Sequence, residues 1–137
     1  MGSLEVLVER IEGSELDAGE SIILTFSVDG GAKHRSDPLT LLGEATVLHA
    51  RVSVATPPGG VMKALACEIH SVLGENRTRV IGKGSLSLQG TIGPRMSGGR
   101  EASEEIMLKG PKGAAGQQLS VRIKHKEDEG GGGGGGG

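Results

Sequence analysis

The chain has 137 residues, with 15 lysines and arginines against 17 aspartates and glutamates, one cysteine, one phenylalanine, and neither tryptophan nor tyrosine. That length implies one domain around one aliphatic core, in which each buried Val, Leu, Ile or Met contributes about 1.5–3 kcal/mol. The net charge of −2 and the near-absence of aromatics exclude a general grip on nucleic acid, which needs a clustered basic surface with stacking platforms, and the lone Cys67 excludes an internal disulfide.

The opening MGSLEVLVER carries charges at positions 5, 9 and 10 and no long apolar run, so it reads as neither a signal peptide nor a membrane span, and a cytoplasmic protein is expected. Leu4, Val6 and Val8 alternate with Glu5, Leu7 and Glu9, the period of a half-buried strand over 4–11. GSELDAGES reads as a loop. Ile22, Leu24, Phe26 and Val28 then face one way until Asp29-Gly30, a favoured hairpin turn, after which 32–36 is expected to return as a short polar edge strand. Pro38 has no N–H for a sheet ladder, so 37–44 reads as a connection in which Leu39, Leu41 and Leu42 plug the end of the core.

Alternation resumes from Ala45 to Ala55, with Leu48, Ala50, Val52 and Val54 inward. Thr56 to Gly60 is a turn. VMKALACEIHSV puts Leu65, Cys67 and Ile69 inward; a helix is conceivable over Met62 to Leu73, but strands on both sides favour a strand. Gly74 to Thr78 reads as a loop and 80–88 as a strand, whose Gly82 and Gly84 suggest a bulge or the close approach of another backbone. Residues 89–103 form the long loop, 104–109 a short strand, and Leu119, Val121 and Ile123 the inward side of the last strand. Arg122, Lys124, His125 and Lys126 there read as a solvated edge. The acidic and polyglycine stretch 127–137 is expected to be a flexible tail or linker. Eight short strands with no convincing helix favour an all-β fold, a two-sheet antiparallel sandwich.

On these residues the chain resembles a C2 domain over 3–126. RVIGKGSLSL is similar to that family's Ile-Gly step into a late strand, EEIMLKGPKG and QLSVRIKH to its closing segment, SLEVLVERIEGSEL to its first strand, and DPLTLLGEATVLHARVSVA to its corner and following strand. The resemblance implies an eight-stranded β-sandwich with Greek-key connections. It also implies a docking role, on a protein partner or, weakly, on an anionic membrane surface, with a location in the cytoplasm or peripheral to membranes or cytoskeleton. A purely structural scaffold of cytoskeletal or ciliary type is the alternative.

Calcium-binding members of the family hold the ion with carboxylates from two loops, since a hard divalent ion wants six to eight oxygens. Alignment on Ile81-Gly82 puts Ser71 and Leu73 where paired aspartates are wanted and Arg79 where a further acid belongs, and in the first loop only Asp17 matches. No calcium is expected, although Glu75 and Asn76 offer nearby oxygens.

His34, His49, His70 and His125 show no metal-ligand spacing, GPRMSGG and GPKGAAG lack the Lys-Ser/Thr of a phosphate loop, and no nucleophile arrangement is readable, so neither cofactor nor enzymatic activity is expected. Two basic groups carry the docking expectation. Lys33, Arg35, Arg51 and Lys63 are expected to share one concave face, and Arg77, Arg79 and Lys83 to lie at the loop end, with Ile92 and Met96 as the apolar candidates for membrane insertion.

Overall fold

The computed structural model describes residues 2–14, 16–56, 63–88, 101–111 and 116–127; the turn at 57–60, Ile92, Met96 and the stretch 128–137 lie outside these. Nine strands are present among them: β1 (Gly2–Glu12), β2 (Ser21–Val28), β3 (His34–Arg35), β4 (Leu39–Thr40), β5 (Ala45–Ala55), β6 (Ala64–Gly74), β7 (Arg77–Ser87), β8 (Glu101–Leu108) and β9 (Gln117–Glu127). They form two antiparallel sheets. The first has the order β5-β1-β9-β8, and the second β3-β2-β6-β7 with β4 also pairing β2. The stretch 62–73 resolves as strand over its described part, because Leu65, Cys67 and Ile69 alternate into the core while β2 and β7 flank it.

The ninth strand arises at Pro38. β3 pairs Thr25 and Phe26, and β4 pairs Ser21 and Ile22, so both run along the same edge of β2. Between them Ser36 takes over the ladder: its N–H donates to the Leu24 carbonyl at 2.8 Å, and its Oγ accepts the Leu24 N–H at 3.0 Å. One edge strand is thus split where proline cannot donate. Other boundaries shift outward from the sequence expectation. β8 begins at Glu101, and the expected loop over 74–78 shrinks to a tight turn at Glu75-Asn76, in which Asn76 takes φ 58°. Asn accepts that left-handed geometry more readily than most residues.

The core lies between the sheets. Leu4, Val6 and Val8 of β1, Ile22, Leu24 and Phe26 of β2, Ile69 of β6 and Val121 of β9 are buried there. Asp29-Gly30 turns with φ 51° and 75°, and the Asp29 carboxylate accepts the N–H groups of Lys63 (3.0 Å) and Ala64 (2.9 Å), tying the turn to the start of β6. At the opposite edge the sheets meet. Lys83 and Lys109 exchange backbone hydrogen bonds of 3.0 and 2.8 Å, and a Cβ at Gly84 would strike the Met107 carbonyl. Gly82 and Gly84 therefore mark a close approach of another backbone.

Three sequence expectations are corrected. Leu41 is buried and Leu39 packs against the core, but Leu42 is 72% exposed: both leucines at 41 and 42 lie beyond the end of β4, and the chain that seats Leu41 inward turns Leu42 out, its N–H held by Thr46 Oγ1 at 2.8 Å. β9 is not an edge: it lies between β1 and β8, and Arg122 is bound to Glu9 (3.2 Å) and Glu101 (4.0 Å) on its two neighbours. Arg51 lies on β5, in the first sheet, and so is on a different sheet from Lys33 and Arg35.

Candidate functional site

The outer face of the second sheet gathers the basic residues. Backbone register aligns Arg35 of β3, Thr25 of β2, Glu68 of β6 and Lys83 of β7 in one cross-strand row, with Ile23, His70 and Val80 in the next and Val72 and Thr78 beyond. Strand alternation sends these side chains away from the core. On this face an open pocket of about 460 Å³ has Ile23 and Thr25 as its floor and Lys33, Arg35, His70, Asn76 and Arg77 around it, while Glu68 and Lys83 lie on the same face outside its lining.

Among the described residues, Glu68 is the one carboxylate set among these cations. Its Oε1 lies 3.0 Å from His70 Nε2 and 3.5 Å from Lys33 Nζ, and its Oε2 lies 3.8 Å from Lys83 Nζ. Burial pushes the carboxyl upward, but the His70 hydrogen bond and the charges of Lys33 and Lys83 outweigh it and hold Glu68 below its ordinary value. Lys33 and Lys83 are therefore partly neutralised within the chain. Arg35 and Arg77 have no ion-pair partner among the described residues, so the uncompensated positive charge of the pocket sits on them.

The other basic residues fall elsewhere. Arg51 Nη1 lies 3.5 Å from Glu5 Oε1 on the outer face of the first sheet. Lys63 precedes β6 at the end opposite the Glu75-Asn76 turn, with its N–H held by Asp29. Arg79 pairs in register with Ser71, on the face of the second sheet that turns inward, so it is separated from Arg77 although only two residues away. The structure thus brings together Lys33, Arg35, Arg77 and Lys83 and separates Arg51, Lys63 and Arg79. Glu68 and His70 were not legible as members of a site. Their outward parity on β6 was visible, but pairing opposite Lys83 was not.

Among the described residues, the loop end collects segments 13–14, 16–20, 41–44 and 75–76. Ser71 Oγ donates to Glu20 Oε2 at 2.7 Å, and the backbone of this region is laced by Gly19 N–H to Leu41 O and Leu41 N–H to Glu20 O, each 2.8 Å. The residues standing at the resemblance's calcium-ligand positions are a hydroxyl already bound to a carboxylate, the apolar Leu73 and the cationic Arg79. Such a set does not fit a hard divalent cation, and among the described residues no cluster of three or more His, Cys, Asp or Glu could hold a metal. The large exposed apolar side chains Leu42, Val47, Leu73 (54% exposed) and Met107 (65% exposed) all belong to strand ends or loops at this end. A second cleft, of about 850 Å³, opens there, lined in part by Glu12, Ala45, Gln118 and Met107, one cross-strand row of the first sheet. Among the described residues no helix is long and apolar enough to cross a membrane.

No protein-family model and no curated protein sequence matches the chain. Solved structures do. The chain is similar to a C2 domain of a plant extended synaptotagmin 1, with a TM-score of 0.69 and 12% identity over 93% of this chain and 95% of that one. It is similar to CC2D1B, a protein of the mitotic reformation of the nuclear envelope, with a TM-score of 0.64 and 17% identity over 90% of this chain and 54% of that one. It is also similar to a human GIVD cytosolic phospholipase A2, with a TM-score of 0.58 and 16% identity, covering 93% of this chain but only 16% of the enzyme. The antiparallel pairing of β1 between β5 and β9, in a sandwich that overlaps a single synaptotagmin domain almost end to end, leads to one conclusion: this chain has the C2 fold.

Proposed function

We propose that the chain is a non-catalytic docking module whose second-sheet face binds anionic phospholipid without calcium. The observation that carries this reading is the pocket in which Arg35 and Arg77 stand beside Lys33 with no carboxylate partner of their own among the described residues. Guanidinium groups at an open surface recognise phosphate oxygens in pairs of hydrogen bonds. Each such charge near an anionic surface adds on the order of 1 kcal/mol, so two or three give weak binding that falls with salt. Glu20, engaged by Ser71, and Arg79 beside it support the calcium-independent part of the reading.

Flotation with vesicles of phosphatidylcholine and phosphatidylglycerol tests it. Binding is expected to rise with the phosphatidylglycerol fraction, fall with salt, and drop about tenfold or more in the Arg35→Ala/Arg77→Ala double variant, while Arg51→Ala, whose side chain already lies against Glu5, changes it little. Equal binding to neutral and anionic vesicles, or equal loss in the Arg51 variant, overturns the assignment. A protein-only scaffold role is the second reading, favoured by the cleft at Met107 and the exposed Leu42 and Leu73; it predicts no vesicle binding at any lipid composition.

A further inference from the structure

Glu68 sits at the centre of a face otherwise set with cations, and it is held there by register. Thr25 and Lys83 are its cross-strand partners, and His70, two residues along the same strand, projects to the same side. An internal carboxylate at that position competes with any incoming anion for Lys33 and Lys83. Its closest contact is with neither lysine but with His70, at 3.0 Å, against 3.5 and 3.8 Å to the lysines. Imidazole is the side chain whose charge changes between about pH 5 and 8. Neutral His70 leaves the Glu68 charge to the two lysines. Protonated His70 becomes the carboxylate's nearest cation and adds one positive charge to the pocket.

We propose that His70 and Glu68 act as an acid-responsive gate on the basic face: at neutral pH Glu68 engages Lys33 and Lys83, and protonation of His70 draws the carboxylate to itself and releases both lysines for an anionic surface. This rests on the docking role assigned above to the same face.

The groups that face His70 from its packed neighbours are compatible with that movement. β2 presents Ile23 and Thr25, β7 presents Val80, Thr78 and Lys83, and Lys33, Arg35 and Arg77 stand at the rim. Among them the only carboxylate is Glu68, so no second described acid can take the proton's charge in its place. His34 is turned elsewhere, its Nε2 accepting the Ala55 N–H at 3.3 Å, and does not line the pocket. Gating is a competition between two cation sets for one carboxylate, so no change of fold is required.

Flotation with vesicles of phosphatidylcholine containing about one third phosphatidylglycerol, whose headgroup charge does not change in this range, is carried out on the full chain at about pH 7.5 and about pH 5.5. The wild-type chain is expected to bind about fivefold or more tightly at the lower pH. His70→Gln is expected to bind equally at the two pH values, so that the acid enhancement is lost whatever its level of binding at neutral pH. Glu68→Gln, with no carboxylate to compete, binds at neutral pH at least as tightly as wild type does in acid, and its remaining pH dependence is smaller. Circular dichroism at both pH values establishes that each variant is folded. Vesicle binding that is present but insensitive to pH, or an acid enhancement that survives in His70→Gln, overturns the gate alone. Absence of vesicle binding in all three proteins overturns the gate together with the docking assignment.

Discussion

Cys67 lies on β6 with its side chain in the core between the sheets, one position before Glu68 on the opposite face. Burial drives its thiol pKa far up, and the neighbouring Glu68 charge adds to the effect, so the group stays protonated and inert near neutral pH. A thiol reagent at about pH 8 is expected to leave the native chain unlabelled and to modify it stoichiometrically in denaturant; labelling of the native chain within minutes contradicts the placement. Glu68 has the opposite sign. Its carboxyl is held below the usual range, so it contributes stability that is present above the unfolded carboxylate pKa of about 4.3 and is lost as pH falls through the lower, folded value. Urea unfolding should therefore find the wild-type chain more stable than Glu68→Gln at neutral pH, with the difference closing below about pH 4. The gate operates well above that window, where Glu68 remains ionised throughout.

Among the elements, β7 shows how a local sequence choice serves a distant contact. Gly82 and Gly84 weaken a strand by propensity, and Val or Thr would suit it better. Both positions are glycine because the other sheet comes within touching distance: a Cβ at Gly84 would meet the Met107 carbonyl, and one at Gly82 would meet the Gln117 carboxamide, whose Nε2 donates to the Ile81 carbonyl at 3.1 Å. Backbone cannot yield as a side chain can. Gly84→Ala is accordingly expected to cost about 1–3 kcal/mol in urea unfolding through the strain of overpacking, whereas alanine at Gly74, where a Cβ meets nothing within 4 Å, costs little. A neutral Gly84→Ala overturns the account of this edge. EEIMLKG begins pairing earlier than its own alternation suggests because Ala102 and Ser103 pair Ile123 and Arg122 of β9, a partner that local sequence does not reveal.

For the whole molecule, the two sheets divide the charges unequally. On the first sheet Arg51 and Arg122 are matched by Glu5, Glu9 and Glu101, while on the second Arg35 and Arg77 are unmatched among the described residues. A net charge of −2 therefore conceals a positive face. At the loop end, a calcium ion bound to the native state alone would raise the thermal midpoint through mass action. With Ser71, Leu73 and Arg79 in the decisive places, the midpoint in about 1 mM calcium is expected to equal that in chelator, and a rise of several degrees overturns that expectation.

The alternation of Leu4, Val6 and Val8, the Asp29-Gly30 turn, the break at Pro38 and the Ile81-Gly82 step were enough to determine an all-β sandwich of the C2 kind, because side-chain parity and turn chemistry are local properties. They also put Ser71, Leu73 and Arg79 at the positions where the resemblance implies calcium-binding carboxylates. Which cations share a face was decided by tertiary structure alone. Strand order puts Arg51 on one sheet and Lys33 with Arg35 on the other, and register sets Glu68 opposite Lys83. Pairing between strands far apart in the chain is settled by the packing of both sheets around one core, and no periodicity within a strand records it.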